Sequence, residues 1–436
     1  MATQKKLSLF SAIFINLNII IGAGLFINSY DIVTKSGAAG FLLYPAVGLC
    51  MLPLIAIMGK MSGMFPTGGL YAFGNSSSPF LGFLSCWSYF FGKTASCTVM
   101  ISVGSAMLQQ LIPGANSLHP IAMFLIILSI FTLLNLQNMK VGMMVQSFFL
   151  TSKCIPVLFV IVAGIMLFDT SFITIDSLIS SNLAVNVPIV LYCFAGFESA
   201  CSLSRNIENP TVNGPKAIYY SFGIIIILYG IFQGFVYMNV HNAIATMTSY
   251  KDIYPSIAHK LFNSELIANK MSTLLNFAIG SSALGGAYGI MFANSWNLYT
   301  LAENDHTFGS KIITQLNKHE TPWVAVLAQS AICLMYLLTN QSTVMNLRQT
   351  TALGMIIAYT VSSFAYYQLL KKTGGTKIDM IISQAAFATC MLFVLSCANS
   401  FFETGLTPLF IFIIILIAGC TMFVYKNKKN RSTIYK

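Results

Sequence analysis

Apolar stretches long enough to cross a bilayer recur along the whole chain. They fall near residues 8–31, 38–59, 80–112, 119–138, 141–168, 184–203, 217–240, 270–301, 322–340, 350–370, 378–398 and 406–425. About 20 apolar residues in a helix cover the ~30 Å hydrocarbon core of a bilayer, so the pattern predicts twelve transmembrane helices. Inside hydrocarbon each backbone group must find its partner within the protein, and for runs of this length that means helix. Composition agrees, with 56% hydrophobic and only 8% charged residues, where soluble domains carry roughly 25% charged. The expected fold is therefore an all-α polytopic membrane protein, one domain over residues 1–436 with no separate soluble part. Lys5 and Lys6 before the first apolar run imitate a secretory signal. Because the same kind of run recurs throughout, residues 8–31 are read as the first spanning helix.

The net charge of +11 points to the membrane surface rather than to nucleic acid. Threading twelve spans with the N-terminus inside puts sixteen lysines and arginines on the inner side and five on the outer: Lys35, Lys251, Lys260, Lys270 and Arg348. The positive-inside rule then places both termini in the cytoplasm, and residues 426–436 become a basic anchor beside anionic lipid. Ten cysteines lie within apolar runs without a CxxC pair, which supports neither a zinc site nor a disulfide framework. The five histidines (119, 241, 259, 306 and 319) fall in expected loops, and no phosphate-binding GxxxxGK[ST] run occurs. The chain is accordingly read as a non-enzyme without cofactor or metal, not driven directly by ATP.

Two spans carry interruptions. The first contains Ile21-Gly22-Ala23-Gly24-Leu25, and each interior glycine costs roughly 1 kcal/mol relative to alanine. The sixth contains Tyr192-Cys193-Phe194-Ala195-Gly196-Phe197-Glu198, with Pro188 one turn before it. Broken helices five spans apart are the pattern of two inverted five-helix repeats, and their half-helix ends suit a carboxylate and an ammonium group.

These residues, together with Phe65-Pro66-Thr67-Gly68-Gly69-Leu70-Tyr71, Pro79-Phe80-Leu81-Gly82-Phe83 and Glu208-Asn209-Pro210, resemble the amino acid–polyamine–organocation (APC) transporter superfamily. The resemblance covers residues 8 to about 370, and length and span number are most similar to the bacterial basic-amino-acid/polyamine antiporters. The run Asn294–Asp305 (NSWNLYTLAEND) departs from the family pattern after the eighth span. The resemblance implies a 5+5 inverted-repeat core with broken helices 1 and 6. Residues 8–168 would form the first repeat, 184–370 the second, and 378–425 two peripheral helices. It implies that Ile20, Gly22, Ala23 and Gly24 hold a substrate carboxylate. Tyr192, Cys193 and Ala195 would meet the ammonium group, with Tyr192 as gating aromatic.

Three charges fall well inside spans: Lys93, Lys153 and Glu198. A lysine near the bilayer midplane costs roughly 2.5–3.5 kcal/mol, so such residues are usually functional. Lys153 resembles the fifth-span lysine whose ammonium group takes the place of sodium in the superfamily. It is read either as titrating during the cycle or as a fixed strut. Glu198, read as lacking a fixed cation, is expected to take up and release a proton. Tyr89 and Lys93 lie one turn apart on the third span, where the resemblance places the side-chain pocket. A lysine there would repel cationic side chains, although Lys93 could instead pair with Glu198 or face another helix. The resulting expectation is a sodium-independent permease or antiporter of acidic or neutral amino acids in the bacterial inner membrane. It would be proton-coupled or an exchanger, and the oligomeric state stays open, a homodimer included. The alternative is a basic amino acid/polyamine antiporter.

Overall fold

Glycine pairs, prolines and polar caps divide the apolar runs into seventeen helices among the described residues. The computed structural model describes residues 6–112, 114, 117–169, 182–339 and 344–434; Lys5 and Lys436, used in the charge asymmetry, lie outside them. In chain order these are α1 (Leu9–Ile20), α2 (Gly24–Ser36), α3 (Leu43–Met64), α4 (Gly69–Asn75), α5 (Pro79–Leu111), α6 (Pro120–Asn135) and α7 (Met139–Met166). There follow α8 (Val187–Phe194), α9 (Ser199–Ser202), α10 (Pro210–Val240), α11 (Ile253–Leu261), α12 (Glu265–Glu303) and α13 (Ser310–Ile313). The last are α14 (Trp323–Thr339), α15 (Val344–Thr373), α16 (Lys377–Thr404) and α17 (Thr407–Ile434). Starts are locally encoded: Ser78 accepts the Leu81 amide ahead of Pro79 at the head of α5, and Asn138 accepts the Val141 amide at the head of α7. The connection at 60–79, too apolar for a plain loop, forms α4.

Eight helical stretches among the described residues are long and apolar enough to cross a membrane, and α1, α6 and α14 are shorter apolar helices. Helix α5, 33 residues long, stands outside that set. Ser85, Ser88, Lys93, Thr94, Ser96 and Thr98 lower its hydropathy, and all six are buried against protein. It is an interior helix, packed between α12 and α15. Large apolar side chains such as Leu49, Phe148, Ile165, Ile227, Leu395 and Ile414 point outward instead. That inside-out distribution is what a lipid solvent requires.

Contacts between distant segments gather at one end of the bundle. The amide of Leu7 donates to the Asn206 carbonyl and the amide of Glu208 to the Leu7 carbonyl, each at 2.8 Å. Arg205 pairs with Glu303 at 2.7 Å, and Lys426 with Asp305 at 2.6 Å. These contacts put Leu7 and Lys426, near the two chain ends, on the same side. The stretch that departs from the family pattern is the C-terminal end of α12, and it supplies Glu303 to these contacts.

Candidate functional site

Both interruptions exist, and they touch each other. Ile21, Gly22 and Ala23 separate α1 from α2, and residues 195–198 separate α8 from α9. Gly196 sits at φ +133°, where a side chain is strained. A Cβ there would come within 2.8 Å of Ile19 Cγ2 and 3.1 Å of the Ile20 nitrogen. A Cβ on Gly24 would lie 3.2 Å from Cys193 Sγ and 3.9 Å from the Tyr192 ring. The sequence-derived residues Ile20, Gly24, Tyr192 and Cys193 are thus brought together around one crossing.

Unwinding leaves carbonyls without their helical partners, and buried side chains meet them. The Tyr229 hydroxyl donates to Ile20 O at 2.9 Å; Ser282 Oγ reaches Ile21 O at 3.2 Å and Gly22 O at 3.3 Å. Asn16 Nδ2 donates to Phe197 O at 2.9 Å across to the second interruption. The first amides of α2 have no place in its own ladder and emerge beside Cys193. Asn28 Nδ2 donates to Cys193 Sγ at 3.1 Å, and the Tyr44 hydroxyl reaches the same sulfur at 3.6 Å. Tyr229, Ser282, Asn16 and Asn28 were not singled out from sequence. No spacing rule marks a serine or tyrosine on a distant helix as the cap of a broken one.

The three intramembrane charges sort into two groups. Lys153 donates to the Asn18 carbonyl, one turn before the first interruption, while Asn18 donates to Gln146 Oε1 and to Gly285 O. The Lys153 side chain therefore holds α7 against α1 directly below the break. Glu198 corrects the expectation of a carboxylate without a fixed cation. Lys93 Nζ lies 2.9 Å from its Oε1, and both side chains are almost fully buried, at 2% and 0% exposure. The Tyr89 hydroxyl donates to the same oxygen at 2.6 Å, and the Gly196 amide donates to Oε2 at 2.9 Å. Tyr89 and Lys93 do share a face, as their spacing indicated, but that face is turned to Glu198. The charge expected to repel cationic substrates is spent on pinning the second interruption. The cause is desolvation, since an unpaired buried ion is far costlier than a paired one.

Two adjoining cavities share Pro188, Tyr192, Ala352 and Cys397. The inner one is apolar, with Met51, Ala195, Met355 and Tyr359 on its walls. The other, of about 190 Å³, is lined by Asn28, Asp31, Lys35, Arg348 and Gln349 as well. Arg348, assigned to a loop by the span count, instead lies in the first turns of α15.

The amino acid permease family model matches residues 7–435. The chain is 24% identical to a serine/threonine exchanger of Bacillus subtilis (strain 168), over 99% of this chain and 98% of the relative. It is 24% identical to a human cystine/glutamate transporter, over 98% and 87% of the two chains. Identity to an arginine/agmatine antiporter of Chlamydia pneumoniae is 22%, over 95% and 89%.

Proposed function

We propose, for a chain that belongs to the amino acid permease family, within the APC superfamily, sodium-independent amino acid transport by alternating access around the two interruptions. The family and its relatives are transporters rather than enzymes, and the protein is an integral membrane protein. The observation that carries the finer reading is the approach of Gly24 to Tyr192 and Cys193, where an added Cβ would lie 3.2 Å from the Cys193 sulfur. It sets free amides at the start of α2 beside the end of α8, where a zwitterion's carboxylate and ammonium group find partners of opposite polarity. In this reading Gly22, Ala23 and Gly24 cradle the carboxylate, and the end of α8 at Tyr192, Cys193 and Ala195 receives the ammonium group. Tyr192, bonded to Ser96 at 3.2 Å, stands between the two cavities as the gate. The ten-helix inverted-repeat core, twelve spans, cytoplasmic termini and inner-membrane location belong to the same proposal.

Sodium independence is supported by Lys153, whose side-chain nitrogen already takes up the carbonyl of Asn18 beside the break. Transport then runs on protons or on exchange with a counter-substrate. Counterflow of a labelled amino acid in proteoliposomes tests the reading. Uptake persists when sodium is replaced by choline at constant pH. Gly24→Leu, whose side chain would enter the cradle against Cys193, abolishes uptake while the protein still inserts. Collapse of wild-type uptake in choline removes the Lys153 argument, and normal transport by Gly24→Leu removes the cradle.

A further inference from the structure

With Lys93 neutralised by Glu198, selectivity for the substrate side chain needs another source. The cavity between α2, α8 and α15 contains one. Arg348 lines it, and the guanidinium Nε is buried with no hydrogen-bond partner. Among the described residues Arg348 enters no ion pair, whereas the other two charges on the cavity wall, Asp31 and Lys35, pair with each other at 2.9 Å. The cavity thus holds one uncompensated positive charge. On the same wall Asn28 has given its amide N–H to Cys193, and its Oδ1 is buried without a partner. Both atoms are shut away from solvent and costly to leave unmatched, while Arg348 as a whole is only partly buried and lines the cavity. A ligand carboxylate in the cavity would answer the Arg348 charge. At about 190 Å³ the space far exceeds the roughly 10–15 Å³ that one water needs.

We propose that Arg348 binds the side-chain carboxylate of an acidic amino acid held by its backbone groups at the two interruptions, and so selects anionic over cationic substrates. The proposal rests on the transporter reading above. Tyr192 lines both cavities, so a side chain that passes it from the α2–α8 crossing enters the space that Arg348 faces. The planar guanidinium fork matches a carboxylate in two parallel hydrogen bonds, which a lysine's point charge cannot reproduce. A substrate ammonium or guanidinium side chain would meet a like charge in a low-dielectric wall.

The test uses the purified full-length protein, with glutamate, serine and arginine affinities read by ligand-dependent thermal shift. Competition in counterflow provides a second readout. Wild type binds glutamate most tightly and arginine least. In Arg348→Gln the glutamate-to-serine affinity ratio falls by about tenfold or more, and Arg348→Lys lies between. An unchanged ratio in Arg348→Gln overturns the proposal, as does tighter binding of arginine than of glutamate by wild type. The wild-type comparison decides even where a variant fails to fold. If serine binds and glutamate does not, only the Arg348 assignment fails. If none of the three binds and counterflow is absent, the transporter reading fails with it.

Discussion

The Lys93–Glu198 pair shows why a buried charge is better judged by what surrounds it than by its depth. Each partner is desolvated and compensated by the other, and the Tyr89 hydroxyl and Gly196 amide donate to the Glu198 carboxylate besides. Removing one partner leaves the other as a lone buried ion, which costs about 3–5 kcal/mol, whereas replacing both by neutral groups of similar size is often close to neutral. Lys93→Met and Glu198→Gln are therefore each expected to lower the melting temperature sharply, and the double variant to recover most of it. Melting of the detergent-purified proteins checks this; additive losses in the double variant would show that the pair is not the relevant unit. The sequence identified all three participating side chains but offered the Lys93–Glu198 pair only as an alternative to a pocket-facing lysine and a carboxylate without a fixed cation. Tyr89 and Lys93 share a helix face by spacing alone, while Glu198 is more than a hundred residues away along the chain.

Among the helices, the crossing of α5 and α15 depends on close backbone approach. A Cβ on Gly354 would lie 2.4 Å from the Ser88 carbonyl oxygen and 2.8 Å from the Gly92 Cα. Both obstacles are backbone, so neither can swing aside as a flexible side chain would. Gly354→Ala is expected to cost about 1–3 kcal/mol by overpacking, seen as a lower melting temperature. Gly223→Ala, whose Cβ would meet nothing within 4 Å, is the control. The element pattern was largely legible in sequence, because long apolar runs, Ser-Pro and Asn caps and paired glycines are local signals. The register of one helix against another was not. It depends on which glycine meets which carbonyl across a packed interface, and periodicity carries no such information.

The molecule as a whole is fastened at the end where Leu7, Arg205 and Lys426 make their contacts, and His306 sits within that fastening. Its Nε2 is 2.9 Å from the Tyr71 hydroxyl, and its ring packs against Phe83 and Phe423, joining α4, α5 and α17 to the turn after α12. Burial pushes the His306 imidazole below its ordinary value, and the nearby Lys426 charge acts in the same direction, against an opposing pull from Asp305. The folded state therefore binds the proton less readily than the unfolded chain. Stability is full above the unfolded value near 6.5 and is lost as pH falls through that value toward the lower folded one. Wild type should lose melting temperature between pH 8 and pH 5 by more than His306→Gln, which cannot take up a proton. Equal losses would assign the pH dependence to other groups. Histidine 306 was read from sequence as a loop residue. It is one, but the loop is clamped between helices distant in the chain.

What the sequence by itself determined is the solvent and the class of fold. Hydropathy and charge act residue by residue, so a chain with 8% charged residues declares a lipid environment before any contact forms. The glycine-rich interruptions declare themselves in the same way, because the helix penalty is local. Only the tertiary structure decided which charge answers which. Lys93 met Glu198, Lys153 met the Asn18 carbonyl, and Arg348 was left without an ion-pair partner among the described residues, in a cavity wall. Those outcomes follow from electrostatics at about 3 Å in a water-poor interior, an energy fixed by distance and burial that no single position in the sequence contains.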